Sequence, residues 1–208
     1  MALFFLFSMF LGAALQLTNM YGDVFLSEFE KIPIYKESFV VKYSTIIMSI
    51  SQISETIFIL AIPFFLRNFG IKKVMLISMA AWVLRFGLLA YGNPADGLWM
   101  IIVSCIVYGM AFDFFNISGS LFVETTTDAK TRSSAQGLFM MMTNGFGAVL
   151  GSYVSGILIT AYFTESNGEK DWLNIWLTFA GYSFVILVLF ALFFKHKHDK
   201  EALKNLKH

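Results

Sequence analysis

Cysteine, histidine and charge are scarce in this chain. Its one cysteine, Cys105, sits in an apolar run, which excludes an internal disulfide and a cysteine-based metal cluster within a single chain. The three histidines, His196, His198 and His208, all fall in the basic C-terminal tail, where a solvated or lipid-headgroup role outweighs metal binding. Motifs of zinc hydrolases (HExxH), serine hydrolases (GxSxG) and phosphate-cradling loops (GxxxxGK) are missing, so the chain does not read as an enzyme. No basic groove motif is present either, which sets nucleic acid aside as a partner. The N-terminus lacks the basic n-region of a signal peptide.

What the chain has instead is apolar bulk. Of its 208 residues 57% are hydrophobic and only 14% are Asp, Glu, Lys or Arg, with a mean hydropathy of +0.69. That balance is too apolar for a water-soluble domain and indicates an all-α, polytopic membrane protein. A bilayer crossing takes about 20 apolar residues, and on that rule six helices fall at roughly 3–27, 43–66, 73–91, 98–122, 134–162 and 173–194. Residues 1–194 thus read as one six-helix transmembrane domain and 195–208 as a basic tail. Polar or turn-forming breaks separate the helices at 67–73, 92–97, 124–132 and 165–171, and the longest connection, Glu28 to Lys42, carries both charge signs and Pro33. Ten Lys and Arg residues lie in 67–73, 124–132 and the tail, against four in the opposite loops. The excess of cations on the cytoplasmic side of membrane proteins therefore predicts cytoplasmic termini. Arg85 falls inside the third helix, where it is read as snorkelling towards the cytoplasmic face or as paired inside the bundle, with a direct ligand role as the alternative.

Two further ionisable groups interrupt the apolar stretches. Glu55 stands mid-way along the second helix and Asp113 along the fourth. An ionisable group at mid-membrane costs about 2.5–3.5 kcal/mol on insertion scales, so each implies a polar cavity, a substrate or a proton. Helical spacing surrounds them with company. Gln16, Asn19 and Asp23 share one face of the first helix; Thr45, Ser49, Gln52, Glu55 and Thr56 make a stripe on the second; Tyr108, Phe112, Asp113, Asn116 and Ser120 cluster on the fourth. Amides and carboxylates suit a hydroxyl-rich ligand, and Tyr108 with Phe112 offers flat surfaces for a planar ring. Helix-to-helix hydrogen bonds are the bland alternative for any single Ser or Thr. Glu55 is compatible with accepting substrate hydroxyls or carrying a proton, and Asp113 with titrating, holding a gating partner or pairing with Arg85. In the fifth helix Gly147, Gly151 and Ser155 recur every fourth residue, with Gly145 and Gly156 alongside, a pattern that lets backbones approach closely.

At 16–19 (Gln-Leu-Thr-Asn), 49–55 (Ser-Ile-Ser-Gln-Ile-Ser-Glu), 108–120 and 134–145 the chain resembles the bacterial nucleoside permeases, the nucleoside–proton symporters of the major facilitator superfamily. The resemblance covers almost the whole chain but only six of twelve helices, read as the C-terminal half. It implies proton-driven nucleoside uptake across the bacterial inner membrane by alternating access, with no cofactor and the proton gradient as driving force. It further implies that Gln16, Asn19, Gln52, Glu55, Tyr108 and Phe112 contact the nucleoside, and that Glu55 and Asp113 are the proton-coupling candidates. The loop 67–73 resembles a degenerate superfamily loop motif without its usual acid. Half of the pocket wall must come from elsewhere, either an N-terminal six-helix half or a second copy of the chain. Two rival readings are a symporter for another hydroxyl-rich solute such as a sugar, and a non-transporting membrane module that docks a partner subunit.

Overall fold

In a membrane every backbone N–H and C=O must be satisfied within its own segment, so apolar stretches of this length fold as helices. The computed structural model describes residues 1–196; most of the expected tail, including His198 and His208, lies outside the described residues. Eight α-helices follow one another: α1 (Ala2–Glu28), α2 (Phe39–Lys42), α3 (Ser44–Phe69), α4 (Ile71–Tyr91), α5 (Leu98–Thr126), α6 (Arg132–Met140), α7 (Gly147–Tyr162) and α8 (Trp172–Phe193). A π-helical turn, Met141–Phe146, joins α6 to α7 into one span. Six helical segments are therefore long and apolar enough to cross a membrane among the described residues.

Local chemistry sets the breaks. The expected polar loop at 67–73 shrinks to one residue, because α3 runs on to Phe69 and α4 starts at Ile71. Gly70 makes the corner at φ 77°, a backbone conformation that side-chain-bearing residues rarely adopt, and its N–H bonds Leu66 O at 2.9 Å. Before α5, Asn93 Oδ1 accepts from the N–H groups of Ala95 (2.9 Å) and Gly97 (3.1 Å) and closes the turn. Asp171 caps α8 by accepting from Asn174 N at 3.1 Å.

Packing then orders the spans. α4 lies between α5 and α8, α3 packs on α5, and α1 packs on α7 and the π-turn. At the end of the bundle that holds Met1, Phe4 contacts the rings of Phe115, Phe122, Phe139 and Phe194, while at the other end Phe86, Trp176, Phe179 and Phe25 interlock. There, too, Glu28 binds Lys170 Nζ (2.5 Å) and Trp172 Nε1 (2.7 Å), tying the end of α1 to the turn before α8. The small-residue stripe is a helix contact. A Cβ on Gly147 would lie 2.5 Å from Met9 O, and one on Gly151 would lie 2.8 Å from Ala13. Ser155 Oγ meets Tyr21 Oη at 3.1 Å. The partner surface on α1 centres on Gly12, where a Cβ would stand 1.9 Å from the Thr143 carbonyl oxygen in the π-turn. Gly145 and Gly156 lie off the seam, with no atom closer than 3.7 Å to a Cβ at either.

Candidate functional site

The polar groups gather near the middle of the bundle, where α3 crosses α5. A Cβ on Gly109 would sit 2.6 Å from the backbone nitrogen of Glu55 and 2.7 Å from the Ser54 carbonyl oxygen, so the missing side chain is what lets α3 lie against α5 at the carboxylate's own position. Ser54 Oγ donates to the Ile106 carbonyl across the same crossing. With its backbone held there, Glu55 is half-buried, and the Tyr108 hydroxyl lies near its carboxylate. Tyr108 is 9% exposed and its ring runs parallel to Phe112, the planes 3° apart and the centroids 6.0 Å apart. Phe112 is half-buried. Asp113, at 5% exposure, is close enough to interact electrostatically with Glu55, and among the described residues its Oδ2 has no hydrogen-bond partner. Such an orphaned buried oxygen costs about 1–3 kcal/mol, a sign of a group awaiting a proton, water or ligand.

The residues on α1 join this site by register. Gly22 of α1 faces Met48 of α3, where a Cβ would meet the Met48 methyl at 2.8 Å. The two helices are antiparallel consecutive spans, so one turn further along Asn19 stands at the depth of Gln52, and a turn beyond that Gln16 stands at the depth of Glu55. Asn19 and Gln52 are exposed and Gln16 is half-buried. No hydrogen bond among the described residues ties the three to Glu55; with the oxygen and nitrogen of its amide exchanged, Gln52 donates to the carbonyls of Ser49 (3.2 Å) and Met48 (3.3 Å) on its own helix. The result is a row of amides beside a carboxylate and two stacked aromatic faces.

Arg85 does not reach out to a membrane face. It is 1% exposed, and among the described residues it is in no ion pair, with Asp113 or with any other acid. Its guanidinium donates through Nη1 to the Ser104 carbonyl (2.6 Å) and through Nε to Thr18 Oγ1 (3.5 Å), and lies 4.4 Å from the centroid of the Tyr108 ring. Gly109 and Ser54 escaped the sequence reading. A glycine directly after Tyr108, within the bulky run from Ile106 to Phe115, was the available signal. Among the described residues no group of three or more acids, histidines or cysteines is placed to hold a metal ion.

Six spans with a polar, acid-containing site at mid-depth define a membrane carrier domain, one half of a major-facilitator fold. A sequence profile described as nucleoside H+ symporter matches residues 1–199, and the chain belongs to that family. The nucleoside permease NupG of Escherichia coli (strain K12) is 58% identical over 199 residues, a match covering 95% of this chain and 47% of that protein. The xanthosine permease of the same organism is 56% identical over 206 residues, covering 99% and 49%. The crystal structure of the nucleoside transporter NupG superposes with a TM-score of 0.89 at 57% identity, over 95% of this chain and 48% of that one. These relatives are permeases and transporters, in keeping with the lack of enzyme motifs. The chain spans about half the length of the relatives it matches. That extent supports a six-helix half and not its placement at the C-terminal end.

Proposed function

We propose that this chain supplies one six-helix half of a proton-coupled nucleoside symporter that works by alternating access across a bacterial inner membrane. In this reading Gln16, Asn19, Gln52 and Glu55 engage the sugar and polar edges of the nucleoside, Tyr108 and Phe112 flank its base, and Glu55 and Asp113 are the groups that exchange the coupling proton. The observation that carries the proposal is the meeting of Glu55 with the Tyr108–Phe112 pair at mid-depth. Nucleosides combine hydroxyls with a planar ring, and this site offers a partner for each. The other half of the wall comes from a second six-helix unit different from this one; gradient-driven accumulation by this chain alone would assign that role to a second copy instead. The spans with least surface buried, α3 and the one formed by α6 and α7, are where that unit packs. The ends rich in Lys and Arg, and with them both termini, face the cytoplasm.

The test is uridine uptake by the twelve-helix transporter containing this half. Replacing Glu55 by Gln removes a charged acceptor worth about 1.5–3 kcal/mol, so uptake is expected to fall by about tenfold or more. Wild-type kinetics in Glu55→Gln would count against the site. Excess hexose should leave uridine uptake unchanged, whereas competition by hexose would favour the sugar reading.

A further inference from the structure

Arg85 has a place in the bundle that neither helix packing nor membrane anchoring accounts for. A guanidinium buried in a membrane protein without a carboxylate partner is costly, and such groups persist where they serve a site. Its contacts are not obligatory for the fold. The Ser104 carbonyl sits inside α5, where the helix already supplies it with a donor, so the 2.6 Å bond serves to fix the guanidinium. Thr18 of α1 steadies it from another side at 3.5 Å. What remains is the face of Tyr108, whose centroid is 4.4 Å from the guanidinium carbon, with the Trp82 ring packed perpendicular to the same ring at 5.8 Å between centroids.

We propose that Arg85 is a positioning residue of the nucleoside site: from behind the wall it clamps the Tyr108 ring and so sets the plane against which a base stacks. Phe112 lies parallel to that ring, so a guanidinium holding Tyr108 in place also fixes how the two aromatic planes stand to each other.

This inference rests on the proposed function and deepens it, and the test separates the two. Uridine uptake kinetics are measured with the wild-type twelve-helix transporter and with Arg85→Gln and Arg85→Lys, reconstituted in vesicles. Wild-type uptake that ignores the proton gradient would refute the symporter reading itself. Given a coupled wild type, KM for uridine should rise several-fold in Arg85→Gln while the maximal rate per folded transporter changes little. Arg85→Lys keeps the charge but loses the planar stack, so its KM should rise as well. A fall in maximal rate with KM unmoved in Arg85→Gln would assign Arg85 a structural role alone. Should Arg85→Gln fail to fold, Arg85→Lys decides, and an unchanged KM there overturns the clamp.

Discussion

A missing methyl group does much of the positioning in this protein. Gly12 lets α1 touch the π-turn backbone, and Gly109 lets α3 settle on α5 beside Glu55. Neither tolerates a Cβ without a backbone shift, since the atoms each would strike are main-chain atoms. Overpacking of this kind costs about 1–3 kcal/mol. In thermal unfolding in detergent Gly12→Ala should therefore melt clearly below wild type. Gly156→Ala, which has nothing within 4 Å, should match wild type or exceed it slightly through about 1 kcal/mol of helix propensity. Equal melting of the two would mean that the α1–α7 seam is not close-packed. At this scale the sequence was readable where chemistry is unusual: Glu55 and Asp113 stand out because an acid in an apolar stretch is costly. It left Arg85 open between snorkelling and pairing inside the bundle, because a buried seat beside Tyr108 depends on how α1 and α5 pack around α4.

Helical elements were legible because six apolar stretches of sufficient length leave the backbone little alternative. Their ends were less so. Cationic residues at 67–73 suggested a loop, yet Gly70 alone turns the chain and the charged residues belong to helix ends. The π-turn at Met141–Phe146 carries no sequence signature beyond its Asn-Gly pair, and only the packing of Thr143 against Gly12 reveals its use. The crossing of α3 and α5 has a consequence for transport. Gly109→Ala changes no proposed ligand side chain, but its Cβ would strike the Glu55 and Ser54 backbone and shift Glu55 relative to Tyr108. In the twelve-helix transporter it should raise KM for uridine several-fold while the protein still reaches the membrane. A KM equal to wild type in well-expressed Gly109→Ala would show that the crossing does not set the carboxylate's place.

On the scale of the whole molecule, the burial pattern is lopsided. Half or more of the apolar stretch of α1, α4 and α5 is buried, whereas only 22% of it is in α3 and in the α6–α7 span. Exposed Asn19, Asp23 and Gln52 cannot be satisfied by lipid tails, so the face that carries them needs a polar or proteinaceous neighbour. The six spans and the family were legible in the sequence; which face stays open was not, because burial depends on how the spans pack. On the proposed reading the polar row on α1 and α3 and the stacked aromatics on α5 are half of an enclosure, and half an enclosure cannot alternate its access.

The most direct measurement is uridine accumulation in proteoliposomes under an imposed inward proton gradient, comparing this chain alone with this chain joined to the family's other six helices. The account predicts no gradient-driven accumulation by the chain alone. With the two halves together it predicts saturable accumulation that vanishes when the gradient is collapsed. Failure of the joined, folded protein to accumulate uridine, or accumulation that persists without the gradient, would contradict it.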